Sequence, residues 1–220
     1  MAEKRLLQDL ADVNPENLGA RTASSFEFRY IDLGSVSHGR IDWRATSVHR
    51  FGSAPSRARR VLRNGDVLFG TVRPSLRSHA AFRSGPSLCV ASTGFAVVRA
   101  RDGVSDPGFL AHYLLSDICA REARRVEVGS NYPAVSERDV RQFAVPPFSL
   151  VEQQRIAEIL DTLDDNIASA ARLVEVGARS ASGFGTTVRK LSIGGGPRGE
   201  PLRNRCGMES ALRGTPAAWE

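Results

Sequence analysis

Lysine is nearly absent from this chain of 220 residues, in which Lys4 and Lys190 are the two lysines among 30 basic side chains. All the other basic side chains are arginines, and part of that preference can reflect the codon usage of a GC-rich genome. Codon usage does not explain why acidic residues are missing from particular segments. The distribution of charge is therefore more informative than the net charge of +6.

Cysteine is also scarce, since Cys89, Cys119 and Cys206 are the three cysteines and no C-x-x-C pair occurs. An odd number without that spacing supports neither a disulfide framework nor a zinc site. No run of about 18 apolar residues is present, and the first residues lack the charged-then-apolar order of a signal peptide. These absences predict a soluble cytoplasmic protein that does not enter a membrane.

Catalytic signatures are missing as well. The chain has no G-x-S-x-G elbow, no phosphate-binding P-loop and no H-E-x-x-H zinc motif. The four histidines are scattered without the spacing of metal ligands. We therefore predict no catalytic residue and no metal ligand, and a free-standing methyltransferase or nuclease has little support.

The segment from Arg40 to Arg83 is strongly basic. It holds ten arginines, whereas Asp42 and Asp66 are its two acids. A polyanion such as DNA is the expected partner of a surface with this charge. The alternative is an arginine-rich surface that is merely solvated.

The first 148 residues alternate β-type runs with turn signals. Predicted strands cover residues 26–36, 66–72, 88–99 with a break near Thr93-Gly94, and 143–145. A helix begins at the Asp106 cap with Pro107 in its first position and an apolar face of Phe109, Leu110, Tyr113, Leu114 and Ile118. A short helical turn is predicted at residues 136–140. The predicted fold class is α+β, a mixed domain over residues 1–148.

A second helix is predicted after Pro146-Pro147, which stiffens the joint. Ser149 and Glu152 fit a capping box at its start. The apolar positions that follow alternate spacings of four and three, as in a coiled-coil seam. Since such a helix does not bury its seam alone, residues 149–176 are predicted to be a long, coiled-coil-forming spacer and dimerisation region, and residues 177–220 a disordered tail. The predicted seam is Ile156, Leu160, Leu163, Ile167, Ala170 and Val174.

Asp161, Asp164 and Asp165 lie beside that seam, and charges in such places usually face solvent. We expect these three carboxylates to lie mostly on the solvated faces of the helix.

The loop after the strand at residue 66 carries the most specific candidate site. Arg73 and Arg77 flank Pro74 and Ser75, so guanidinium groups and a hydroxyl can contact base edges or phosphates. In a second loop, the Asn131 amide can contact adenine and the Tyr132 ring can stack or pack. Taken alone, that second loop is as consistent with a structural role. The predicted DNA-binding residues are Arg73, Ser75, Arg77, Asn131 and Tyr132, with phosphate contacts from Arg57, Arg59 and Arg60.

Together these motifs resemble the specificity subunit of type I restriction-modification systems. The matching elements are Gly65-Asp66-Val67-Leu68 with Arg73-Pro74, Ser92-Thr93-Gly94-Phe95, Gly129-Ser130-Asn131-Tyr132-Pro133, and Pro146-Pro147 followed by residues 152–157 and 159–164. The resemblance covers about residues 6 to 176. It implies a target recognition domain that reads one half of a bipartite DNA site, followed by a helical spacer.

The resemblance also implies partners and cofactors. Subunits of this family are not catalysts; they dock methyltransferase subunits, which bring S-adenosylmethionine, and restriction or translocase subunits, which use ATP and Mg. The family usually has two recognition domains and two long helices, whereas this chain has one of each. The chain is therefore expected to pair with a copy of itself or a sister specificity subunit, or to be a decayed, truncated remnant. A non-catalytic coiled-coil adaptor that does not bind DNA is the remaining alternative.

Overall fold

Two four-stranded sheets form the scaffold of the domain. The computed structural model describes residues 4–83, 85, 88–129 and 133–188, with side chains described as far as residue 174. In the first sheet the strand order is β6-β3-β10-β7, and β3 and β10 run parallel. Its strands are β3 (Glu27–Ile31), β6 (Ser47–Arg50), β7 (Ala58–Val61) and β10 (Cys89–Ser92).

The second sheet is antiparallel throughout, with the order β2-β11-β8-β9. Its strands are β2 (Ala11–Val13), β8 (Asp66–Gly70), β9 (His79–Phe82) and β11 (Phe95–Ala100). Two short pairs complete the strands, β1 (Arg5–Leu6) with β12 (Ala144–Val145) and β4 (Val36–Ser37) with β5 (Arg40–Ile41). The mixed α+β class predicted from the sequence is confirmed.

The helices are α1 (Leu7–Leu10), α2 (Pro107–Leu115), α3 (Asp117–Val126), α4 (Glu137–Arg141) and α5 (Leu150–Val188). Turns of 3-10 helix lie at Leu33–Ser35, Phe51–Ser53 and Pro74–Leu76. The contacts between residues separate the chain into two compact units, and the boundary between them follows Ala170, within α5. Among the described residues, no helix is long and apolar enough to cross a membrane.

Strand β8 lies between two cores, and all five of its residues are buried. Successive side chains of a strand point to opposite faces of the sheet. Val67 and Phe69 accordingly join the cluster that packs on α2, whereas Leu68 joins the cluster shared with β3 and β10. Burial on both faces explains why β8 is a nearly continuous apolar run rather than an alternating one.

A buried ion pair fixes the start of β8. The side chain of Asp66 is fully buried, and its two oxygens accept hydrogen bonds of 2.7 Å from Nε and Nη2 of Arg99 on β11. One of those oxygens also accepts from the backbone N–H of Arg63 at 2.7 Å. The hydrogen bond to Asp66 is the main reason that the pKa of Arg99 is raised.

Several element boundaries differ from the predicted ones for local reasons. The strand predicted over residues 26–36 ends at Ile31, because the carboxylate of Asp32 accepts from the N–H of Ser35 and closes a 3-10 turn. The helix from Pro107 ends at Leu115, and extended Ser116 caps α3 through a hydrogen bond from the N–H of Cys119. Ile118 is therefore exposed on α3 and does not belong to the apolar face predicted for the preceding helix.

The predicted capping box at the start of α5 is confirmed. The N–H of Ser149 donates to Glu152 Oε2 at 2.8 Å, and the N–H of Glu152 donates to Ser149 Oγ at 3.4 Å. The helix continues to Val188, beyond the predicted end at residue 176. The part of the predicted tail from residue 189 onward lies outside the described residues.

Candidate nucleic-acid interface

The turn from Arg73 to Arg77 follows the buried strand β8. Its centre is the 3-10 turn Pro74–Leu76, and both flanking arginines have left-handed backbone angles, with φ of 47° at Arg73 and 53° at Arg77. For a residue with a Cβ, the left-handed conformation costs about 1–2 kcal/mol. Backbone strain of this kind persists only where the surroundings fix it, and it concentrates at functional sites.

Main-chain hydrogen bonds fix this turn from several directions. The N–H of Arg73 donates to Pro133 O at 2.8 Å, and the carbonyl of Arg77 accepts from the N–H of His38 at 3.1 Å. Just before the turn, the carbonyl of Thr71 accepts from Val135 N at 2.9 Å. The shape of the turn therefore depends on main-chain hydrogen bonds. The side chains of Ser75 and Leu76, at the centre of the turn, are exposed.

His79 contacts the end of β8, directly before the turn. Its ring stacks on Phe69 with centroids 4.2 Å apart, and its Nδ1 accepts from the N–H of Gly70 at 2.9 Å. Burial, aided by the positive charge of Arg77 and opposed by a backbone hydrogen bond at Pro74, lowers the pKa of His79 to about 4. A neutral imidazole thus joins the end of β8 to β9 directly beneath the turn.

Helix α3 adds a second basic element to the turn. It packs against Pro74–Leu76, and Arg77 Nη2 donates to Asp117 Oδ1 at its first residue. The hydrogen bond from Arg77, together with the charges of Arg121 and Arg124, holds the pKa of the Asp117 carboxyl below its usual value. We call the Arg73–Arg77 turn and α3 with Arg121, Arg124 and the exposed Arg125 the recognition surface.

The three α3 arginines are absent from the sequence-based site. Their signal was visible as the run from Arg121 to Arg125, which contains three arginines. Such a run is usually a solvated helix face. What the sequence alone does not indicate is that this face lies beside a turn more than 40 residues earlier in the chain.

The other predicted DNA-binding residues lie in different surroundings. The carbonyl of Arg57 accepts a hydrogen bond from Thr93 N at 2.8 Å. Gly94, which follows Thr93, accepts through its carbonyl from Thr71 N at 2.9 Å. These two bonds place exposed Arg57 near the chain segment that leads into the turn. Half-buried Arg59 lies over the Phe51 ring, 4.9 Å from its centroid. Asn131 and Tyr132 lie outside the described residues.

Arg60 is engaged within the domain. Its Nη1 donates to Asn17 Oδ1 at 2.8 Å, and its Nη2 lies 3.7 Å from Glu137 Oε2. Burial lowers the pKa of Arg60, against the opposing charge of Glu137. A phosphate at Arg60 would have to compete with both partners.

Helix α5 is attached to the domain through its first three turns. Gln153 accepts from the N–H of Asp106 at 3.0 Å and donates to Phe148 O at 2.9 Å. Ala157 is buried against α2, where a Cβ at Gly108 would lie only 3.1 Å from the Ala157 Cβ. A side chain at position 108 would therefore force its neighbours to shift by a few tenths of an ångström.

Asp161 extends this attachment, contrary to the prediction that it faces solvent. One of its oxygens accepts from Arg83 Nη2 at 2.5 Å and lies 2.8 Å from His112 Nε2. Burial opposes the ionisation of Asp161, but the hydrogen bonds from Arg83 and His112 outweigh it and lower its pKa. The predicted solvated position was wrong because the first part of α5 packs on the domain instead of standing away from it.

The predicted seam divides along α5. Ile156 packs partly against the core of its own domain, and Leu160 is half-buried. Leu163 and Ile167 are 51% and 67% exposed, and Val174 is also exposed. Within the predicted seam, the exposed side chains available for a partner therefore begin at Leu163.

No cluster of three or more potential metal ligands occurs among the residues that the structure describes. Family comparison is more informative. Residues 49–176 match the model of the type I restriction modification DNA specificity domain. The chain belongs to this family. The match runs from β6 through the recognition surface into α5.

Solved structures of specificity subunits have the same fold. The HsdS subunit from Thermoanaerobacter tengcongensis is 29% identical, with a TM-score of 0.67 over 83% of this chain and 46% of that one. A chain from a structure on complex assembly and conformational transition of the type I R-M system is 28% identical, with a TM-score of 0.67 over 90% of this chain and 51% of that one.

A more distant specificity subunit shares the fold alone. The S subunit of a type I restriction-modification system from M. genitalium is 15% identical, with a TM-score of 0.55 over 86% of this chain and 46% of that one. The chain thus spans about half the length of the solved subunits it matches. No curated protein matches it.

Proposed function

We propose that this chain reads DNA sequence through the recognition surface, as one half of a type I specificity subunit. The observation that carries the proposal is the turn itself, in which two arginines are held in left-handed geometry by main-chain bonds beside a second basic helix. Arginines that reach base edges in a groove read sequence, whereas contacts to phosphates position the protein and carry no sequence information directly. Phosphate contacts are assigned to Arg121, Arg124 and Arg125 on α3, which packs against the turn, and to exposed Arg57.

The family relationship and the half length support a division of labour. One recognition domain reads one half of a bipartite site, and a second copy or a sister subunit supplies the other half. The methyltransferase and restriction subunits dock on the pair and bring S-adenosylmethionine, ATP and Mg, while this chain binds none of them and performs no catalysis. This role is consistent with a sequence that lacks hydrolase and nucleotide-binding motifs.

Replacing Arg73 or Arg77 with alanine is expected to weaken binding to a selected duplex by about 1–3 kcal/mol, because each removes a guanidinium that contacts a base. The duplex is first obtained by selection from a random pool with the purified chain, and affinities are then measured across a salt titration. Both variants should lose discrimination among bases as well as affinity for the selected duplex.

Arg101→Ala is the matched control for Arg77→Ala. Arg101 is paired with Asp12 at 2.6 Å and is 41% exposed, against 38% for Arg77, and it lies at the opposite end of β11 from the turn. The Arg101→Ala variant should bind the selected duplex with the same affinity as the unchanged chain. Equal affinity of the two turn variants and the parent would contradict the assignment of base contacts, and the absence of salt-dependent binding to any duplex would favour a non-DNA adaptor.

Replacing Leu163 and Ile167 together with aspartate is expected to abolish pairing, because an unpaired carboxylate is costly to bury. In sedimentation the mass should fall from twice the chain mass of 23.8 kDa to the chain mass. Val151→Asp is the control, since Val151 is 74% exposed and lies about 120° around the helix from Leu163 and about 160° from Ile167. A parent chain that sediments as a monomer would contradict pairing with its own copy.

A further inference from the structure

An exposed acidic side chain lies in the middle of the recognition surface. Helix α3 carries two acids in its length, and Glu122 is turned toward the domain, where it accepts from the N–H of Ala144 at 2.6 Å. Asp117 is instead 69% exposed, beside Arg77, Arg121 and Arg124. A negative charge at this place repels DNA phosphates, so it weakens the general attraction that the arginines provide.

The carboxylate of Asp117 is well stabilised where it is. It lies in the first turn of α3, where the helix dipole favours negative charge. It also accepts a hydrogen bond from Arg77. If Arg77 used the donor that now binds Asp117 to bind a phosphate, the ion pair would break and the Asp117 carboxylate would be left beside the DNA backbone. The remaining guanidinium donors of Arg77, however, can contact an uncharged acceptor without breaking the pair.

Guanine offers such acceptors. Its O6 and N7 atoms in the major groove carry no net charge and accept from two guanidinium donors at once. The ion pair therefore penalises phosphate binding by Arg77 more than guanine binding. Resting on the proposed function, we propose that Asp117 is a specificity-determining residue, which restrains Arg77 so that the turn reads guanine instead of binding phosphates of any sequence.

A structural role alone would have a different signature. If Asp117 only stabilised the start of α3, its loss would lower thermal stability and would change binding to all duplexes equally. The ratio of selected to unselected affinity separates the two roles. So does the salt dependence, because each additional phosphate contact steepens the log–log slope by about 0.9.

The experiment compares the full chain with Asp117→Asn, Asp117→Glu and Asp12→Asn, the last removing the acid from the Arg101 pair at the other end of the sheet. Each protein binds the selected duplex and an unselected duplex pool across a salt titration. For Asp117→Asn we expect a salt slope steeper by about 0.9 on the unselected pool, as Arg77 gains a phosphate. We also expect the selectivity ratio to fall by at least about fivefold, with the loss confined to one guanine position.

Asp117→Glu, which keeps the charge, and Asp12→Asn should resemble the parent. An unchanged ratio and slope for Asp117→Asn would overturn the inference. Weaker binding to the selected duplex with an unchanged slope would also overturn it, because Asp117 would then only orient Arg77. Failure of the parent chain to select any duplex would instead refute the proposed function, on which the inference rests.

Discussion

Asp66→Ala is expected to lower the free energy of unfolding by about 3–5 kcal/mol, the usual cost of removing one partner of a buried ion pair. The substitution removes three hydrogen bonds of 2.7 Å, two from Arg99 and one from the backbone of Arg63. Arg99, only 21% exposed, would keep one ion pair among the described residues, with Glu16 at 3.5 Å. That residual pair places the expected loss toward the lower end of the range.

Urea unfolding of the parent and of the variant measures this loss. Asp12→Ala is the control, because it removes an aspartate from the more exposed pair with Arg101. An exposed pair contributes about 0–1 kcal/mol, so the control should change the unfolding midpoint little. A loss for Asp66→Ala no larger than that of the control would contradict the role assigned to the buried pair.

Between pH 6.5 and pH 4 the domain is expected to lose about 1.4 kcal/mol of stability per pH unit because of His79. The folded pKa of His79 is lowered to about 4, whereas an unfolded histidine titrates near 6.5. In that window the unfolded chain binds a proton that the folded chain does not, so stability falls as the pH falls. The total loss approaches about 3 kcal/mol near pH 4.

Urea midpoints measured at intervals across that range test the expectation. The carboxyls with lowered pKa values, such as Asp161 and Glu137, stabilise the fold above their unfolded pKa and lose that contribution below about pH 4. Their effect is therefore separated from that of His79. His79→Asn should be less stable at neutral pH and should show a flatter profile from pH 6.5 to 4. Identical profiles for the variant and the parent would contradict the assignment.

Local signals in the sequence predicted much of the fold. The break at Thr93-Gly94 separates β10 from β11, and the Asp106 cap begins α2 as predicted. Both depend on residues within a few positions of each other. The parallel pairing of β3 with β10 joins residues 60 positions apart, such as Val90 and Tyr30, for which the sequence has no local signal. The end of the helix at Leu115 was missed because the apolar spacing continues to Ile118, past Ser116, which caps the next helix.

The candidate site was predicted in part for the same reason. Proline and two arginines indicated an ordered basic turn after β8, and the structure has such a turn. Its left-handed arginines and the adjacent α3 depend on contacts with Pro133 and Asp117, which lie far along the chain. Asp161 was misplaced because the heptad pattern describes which face of α5 is apolar and does not indicate which part of the helix packs on its own domain.

The backbone anchoring of the turn has a consequence for how this protein can change. Bonds from Arg73 N to Pro133 O, from Val135 N to Thr71 O and from His38 N to Arg77 O involve no side-chain atom. Substitutions at positions 73, 75, 76 and 77 can therefore alter the chemical groups offered at the surface without removing the bonds that shape it. A lineage carrying this scaffold can acquire new binding preferences through a few codon changes while the rest of the domain keeps its sequence.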